Sequence, residues 1–149
     1  MNSCPPESAA ALKARALRLL ARREHSRDEL ARKLSPHAES AAILELLLRE
    51  LEARKQLSDE RFAEQRARVL ARKYGPARIR LDLKSKGVAA EVVERVSAQG
   101  ELETARAILA RKYRQPAITR DERAKRARFL QGRGFSSDVI HRLVLRDEE

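Results

Sequence analysis

Tryptophan is absent from this chain of 149 residues, and two tyrosines, three phenylalanines and one cysteine are all it has of the residues that usually build ring-lined cores, cages or disulfide frameworks. Aromatics at 3% imply a core built of Leu, Val, Ile and Ala. Cys4 alone cannot close an internal disulfide, so it reads as a bystander in a chain suited to a reducing compartment. The five glycines stand singly at expected helix ends. The nearest approach to a phosphate-cradling loop, "QGRG" at Gln131 to Gly134, is too short and lacks the Lys-Ser/Thr ending. His25, His37 and His141 are scattered without ligand spacing and are expected to be ordinary surface residues. Carboxylates fall mostly near helix starts or beside Arg and Lys, where capping explains them better than acid–base chemistry. The sequence therefore offers no catalytic, metal-binding or cofactor-binding residues. No apolar run is long enough to span a membrane, and "MNSCPPESAAALKARALRLL" lacks the order of a signal peptide, so the expectation is an unexported, cytoplasmic protein.

What the chain has in quantity is positive charge. Lys and Arg number 33 against 22 Asp and Glu, for a net charge of +11. A field of that sign selects anionic partners: nucleic acid, acidic lipid or an acidic protein surface.

It also repeats itself. "LARREHSRDELARKL" (Leu20 to Leu34), "LARKYGPARIRLDLKSKG" (Leu70 to Gly87) and "LARKY" (Leu109 to Tyr113) followed by "RARFLQGRG" (Arg126 to Gly134) share one order: a helix with a basic end, a break, a second helix and a small basic ending. The two "LARKY" copies lie 39 residues apart and Gly87 lies 47 from Gly134, so the third copy carries an insertion, placed within "RQPAITRDERAKR". Each copy reads as three helices. Ala63, Ala67, Leu70 and Tyr74 recur at helical spacing on one face, widened by Phe62 and Val69, and that face should be buried. Gly75-Pro76 opens the next helix, Ile79 and Leu83 anchor it, and Gly87 ends it. Val88, Val92, Val93 and Val96 supply the third helix. Its counterpart in the first copy carries Ile43, Leu44, Leu47, Leu48 and Leu51. Ser26 to Glu29 and Thr119 to Glu122 both match the capping box, and Ser58 suits a helix start. The expected fold is all-α: three tandem three-helix repeats forming a short curved solenoid, with repeats at 1–57, 58–100 and 101–149, the last carrying the insertion.

The charge follows the repeat. Residues 13–34 hold eight basic residues against three acidic, residues 66–87 eight against one, and residues 106–133 ten against two. Charged helices are ordinarily just solvated faces, but an excess concentrated on matching elements points to an extended binding stripe. Tyr74 and Tyr113 occupy matched positions. Base stacking is conceivable there, but matched positions in a repeat are ordinarily matched core contacts, so both are read as core.

The stretches Ala16 to Leu34, Leu57 to Val88 and the closing "GRGFSSDVIHRL" resemble the RecX regulators of the bacterial recombinase RecA, over most of the chain and in the family's order of elements. The chain departs at Lys55-Gln56, where the family often has Gly and an aromatic or aliphatic residue. The resemblance implies a non-enzymatic regulator that binds within the groove of the RecA filament on single-stranded DNA and lowers its ATP hydrolysis, strand exchange and cleavage of the SOS repressor. No catalytic motif is carried over. The candidate contact residues are chosen on charge: Arg72, Lys73, Arg78, Arg80, Lys84 and Lys86 in the second repeat, and Arg111, Lys112 and Arg133 in the third. The chain is expected to act as a monomer, with direct DNA contact as a possible addition.

Two rival readings stand beside this one. A DNA-coating protein would use the same cations, although the helices after Gly87 and Gly134 are too apolar and acidic to read a major groove. A membrane-surface protein would need Trp- or Phe-rich faces, which are missing.

Overall fold

The computed structural model describes residues 5–145, so Cys4 lies outside the described residues. Among the described residues the chain is helical without a strand. The helices are α1 (Ala9–Arg22), α2 (Arg27–Leu34), α3 (Ala41–Ala53), α4 (Asp59–Leu70), α5 (Pro76–Ser85), α6 (Ala90–Ser97), α7 (Glu101–Lys112), α8 (Arg120–Arg133) and α9 (Ser137–Ile140). A short 3-10 turn at Ser35–His37 follows α2, and a π-helical turn at His141–Leu145 follows α9. Taken three at a time, these are the tandem three-helix repeats that the sequence predicts. Two compact units are built from them: one holds the residues to Gln65 with Ser85–Ala89, the other Arg66–Lys84 with the residues from Ala90 onward.

The first unit is leucine-built. Leu12 and Ala16 of α1, Leu30 and Leu34 of α2, and Leu47, Leu48 and Leu51 of α3 are buried in one cluster with Leu57, each helix contributing residues spaced to share a face. Ser8, Ser26 and Ser40 open the three helices, each side-chain oxygen accepting a backbone N–H three residues on, at 3.2, 3.1 and 3.2 Å. Only half of the capping box expected at Ser26 forms. The Glu29 carboxylate accepts instead from both Nη atoms of Arg23, at 2.9 and 2.8 Å, because a guanidinium is a stronger donor than a neutral backbone amide. That pairing pulls the Glu29 pKa down to about 2. At Thr119 both halves of the box are made.

Ion pairs knit the same unit. Arg27 reaches Glu45 at 2.6 Å and also pairs with Glu52, tying α2 to α3, while its backbone N–H donates to Asp59 at 2.7 Å. Asp59 stands at the start of α4, so one carboxylate satisfies the orphan amide of a different helix. Lys13 pairs with Glu50 at 2.7 Å and Arg61 with Glu24 at 2.9 Å.

His25 corrects the sequence expectation of a surface residue, for it is 1% exposed. Its Nδ1–H donates to the Arg23 carbonyl at 3.0 Å, which leaves Nε2 to accept from the Lys33 ammonium at 3.1 Å. That arrangement requires neutral imidazole, and burial holds the His25 pKa below its ordinary 6.5.

The chain leaves α3 through a Schellman turn. The Gln56 N–H reaches back to the Leu51 carbonyl at 2.8 Å and the Lys55 N–H to Glu52 at 3.0 Å. Lys55 therefore adopts φ +61°, the left-handed conformation, at the position where the resembled family often places glycine.

The second unit packs Ala105 and Ile108 of α7 and Leu130 of α8 with Phe135, Ile140 and Val144. Pro76 occupies the first position of α5, whose Ile79 and Leu83 are buried, as are Val93 and Val96 of α6. Two expectations need correcting. α4 stops at Leu70, so Tyr74 lies beyond the helix, at the end of a turn in which its N–H still bonds to Leu70 at 2.8 Å. Val69 does not widen the buried face; it is 53% exposed. The extra residues of the third repeat are shared between the Tyr113–Thr119 connection and a longer helix, 14 residues in α8 against 10 in α5.

Two stability measurements follow. Lys55→Gly relieves the left-handed lysine and should raise unfolding free energy by about 1 kcal/mol in a urea titration; no gain would mean the turn is strain-free. In the unfolded chain His25 binds a proton near its ordinary value, in the fold only at lower pH. Stability should therefore fall as pH drops from 6.5 through the lowered native pKa, and His25→Gln should flatten that slope.

Candidate functional site

Five of the second unit's cations cluster at the ends of three helices. Arg72 and Lys73 follow α4, Arg111 and Lys112 close α7, and Arg133 closes α8. Together with Tyr74, Ile108 and Phe129 they line an open basin of about 500 Å³. A helix C-terminus presents unsatisfied carbonyls and the negative end of its dipole, which is where Lys and Arg are held best without a carboxylate. The donors are used accordingly. An Arg111 Nη donates to the Arg72 carbonyl, Arg133 Nη1 to that of Lys73 at 3.4 Å, and Arg78 Nη2 to that of Gly132 at 3.1 Å.

Aromatic faces supply the rest of the support. Arg78 and Arg133 lie over the Tyr74 ring, at 5.3 and 5.8 Å from its centre. Arg133 and Lys112 lie over Phe129, at 5.1 and 4.8 Å, and Lys112 and Arg126 over Tyr113, at 5.9 and 4.5 Å. Cations and rings thus alternate from Arg78 to Arg126, and Tyr113 meets Phe129 edge-on, ring centres 6.0 Å apart. A cation over a ring gains about 0.5–1 kcal/mol at an exposed site. Two unit charges about 10 Å apart repel by about 0.4 kcal/mol in water and about 1.7 kcal/mol at an effective dielectric constant of ~20. The ring contacts offset part of the repulsion, and the positive potential stays open to an outside anion.

The lack of carboxylates is the distinguishing feature. Among the described residues, no ion pair reaches Arg72, Lys73, Arg78, Arg111, Lys112, Arg126 or Arg133. The first unit, by contrast, pairs Lys13, Arg15, Arg23, Arg27 and Arg61.

Of the nine residues chosen from the sequence, five line the basin and Arg78 joins them through Tyr74. Arg80 does not: its charge is met by Glu94 at 3.2 Å. Lys84 is an exposed residue of α5, and Lys86 belongs to the other unit. The sequence reading missed Arg126 and Phe129, although Arg126, Phe129 and Arg133 recur at i, i+3 and i+7, the spacing of one helical face. It also placed Tyr74 and Tyr113 in the core, whereas both are half-buried under guanidinium and ammonium groups.

What brings the ends together is a close backbone contact. The Gly75 N–H donates to the Arg133 carbonyl at 2.7 Å and the Ala77 N–H to that of Gly134 at 3.1 Å. A Cβ on Gly75 would stand 2.7 Å from the backbone of Gly134 and Phe135, which cannot give way as a side chain can. Gly134 takes φ +96° in a Schellman turn, in which Phe135 N–H returns to Leu130 at 3.2 Å and both side chains join the core.

Fold and site together define a class: an all-helical, tandem three-helix chain whose distinctive equipment is a cationic basin that no carboxylate among the described residues pairs with. Profiles described as the second and third three-helix domains of RecX match residues 58–96 and 99–144. The regulatory protein RecX of Ralstonia nicotianae is 44% identical over 142 residues, covering 93% of this chain and 89% of that protein. That of Leptothrix cholodnii is 46% identical, with 93% and 90% covered. A crystal structure of RecX from Lactobacillus salivarius superposes with a TM-score of 0.77 at 22% identity, over 92% of this chain and 94% of that one. The chain belongs to the RecX family of regulatory proteins.

Gly75→Ala tests the contact. It should destabilise the protein by about 1–3 kcal/mol in denaturant titration, the range for overpacking a closed site. An unchanged midpoint would show that the two backbones are free to separate.

Proposed function

We propose that this chain is a non-enzymatic inhibitor of RecA, binding in the groove of the RecA filament on single-stranded DNA and reducing its ATPase, strand-exchange and SOS coprotease activities. Membership of a family of regulatory proteins supports a regulatory role. The observation that carries the reading to a surface is the basin itself: Arg72, Lys73, Arg111, Lys112 and Arg133 meet no carboxylate within the described residues, so their charge is available to an anionic partner. Such complementarity governs encounter rate and specificity more than raw affinity. In this proposal Arg78 supports the basin, Arg80, Lys84 and Lys86 lie outside its core, and the repeats at 1–57, 58–100 and 101–149 act in one cytoplasmic monomer.

The rival is a basic protein that coats DNA without sequence preference, and the same cations favour it. Salt separates the two. Six to ten phosphate contacts lose about 10³–10⁵ in affinity between 50 and 200 mM salt, whereas inhibition that depends on the filament should persist.

The test is the ATPase rate of RecA filaments preformed on single-stranded DNA, at physiological salt, with this protein added below stoichiometry. The rate should fall, and Arg72→Glu/Lys73→Glu/Lys112→Glu should abolish the effect while leaving the circular dichroism spectrum unchanged. No fall, with salt-sensitive binding to naked DNA, would replace the proposal with the coating reading. Full inhibition by the triple variant would move the contact elsewhere.

A further inference from the structure

The basin's charge also says what kind of anion fits it. Five cations converge there from the ends of α4, α7 and α8. Three helix C-termini contribute about half a negative charge each, so among the described residues roughly +3.5 is left unbalanced. A single carboxylate would neutralise a minor part of that surplus. The hollow measures about 500 Å³, within the roughly 300–1,000 Å³ of small-ligand sites. Its rings do not invite a base or an apolar group, since Tyr74, Phe129 and Tyr113 each carry two cations over their faces. What remains on offer is a set of guanidinium and ammonium donors, the groups that hold phosphate oxygens most firmly.

We infer that the basin is a binding site for a compact polyphosphate, several adjacent phosphates of one ligand, as in inorganic tripolyphosphate or the tail of a nucleoside triphosphate. The ligand would lie among Arg72, Lys73, Arg111, Lys112 and Arg133 and take up the charge that no carboxylate among the described residues of the second unit meets. The inference rests on the basin's geometry and is independent of whether the RecA filament docks there.

Isothermal titration of the 149-residue chain with inorganic tripolyphosphate, at physiological salt, tests it. Saturable binding of one anion per chain is expected, roughly tenfold or more tighter than pyrophosphate or citrate. Arg72→Gln/Lys73→Gln/Lys112→Gln should weaken it by about tenfold or more, while Arg32→Gln/Arg68→Gln/Arg106→Gln, which removes the same charge outside the basin, should change it little. Circular dichroism of both variants confirms that they fold. Non-saturable binding, several anions per chain, equal affinity for citrate, or equal losses in the two variants would each overturn the assignment. Competition identifies the source. Displacement by ATP but not AMP points to a nucleotide tail; displacement by an oligothymidylate alone would transfer the phosphate chemistry to a strand backbone and sink the compact-ligand reading.

Discussion

The second unit depends on two glycines that let backbone meet backbone. With no Cβ at Gly75 and a left-handed Gly134, the start of α5 comes close enough to the end of α8 for two main-chain hydrogen bonds, Gly75 to Arg133 and Ala77 to Gly134. Arg133 and Arg78 are placed by that contact. Arg133 is fixed at its root by its own carbonyl, its guanidinium falls between Tyr74 and Phe129, and Arg78 is turned back toward Gly132. A side chain at either glycine would separate the elements that carry the two halves of the cluster.

Two solutions to the same problem coexist in one sequence. Each repeat has a basic run at the end of its first helix or just beyond it, and like charges so concentrated must be offset. In the first repeat the run Leu20-Ala21-Arg22-Arg23-Glu24 ends in a carboxylate, which pairs with Arg61, while Arg23 takes Glu29. In the second and third repeats the residue corresponding to Glu24 is Tyr74 or Tyr113, and each ring lies under two cations instead, Arg78 and Arg133 at Tyr74, Lys112 and Arg126 at Tyr113. A carboxylate cancels charge; a ring lowers the cost of holding it and leaves the field outside intact. The repeats share a fold and differ in what they present to solvent.

Much of this was legible in the sequence. The helical spacing of Leu47, Leu48 and Leu51, the Pro76 start and the Thr119 box all act through neighbours in the chain, and local rules read them correctly. The failures have one cause. Glu29 forsook Ser26 for Arg23, His25 was buried beneath Lys33, and Val69 turned outward, each decided by an interaction whose partner or packing a helical pattern does not specify. The site was half legible for the same reason. Charge counting found the basic ends, but choosing Arg133 over Arg80 required knowing that Glu94 stands beside Arg80 and that, among the described residues, no carboxylate pairs with Arg133. Lys55 is the reverse case: a departure from the family's pattern, visible in the letters, whose meaning came only with its φ of +61°.

The scarcity of aromatic residues has an optical consequence. With no tryptophan in the chain, ultraviolet emission comes from Tyr74 and Tyr113. Tyr74 lines the cationic basin and Tyr113 stands edge-on to its Phe129. The chain's intrinsic fluorescence therefore originates at the cationic basin proposed as the contact surface, with no background from the leucine core. The protein carries its own unlabelled reporter of that encounter.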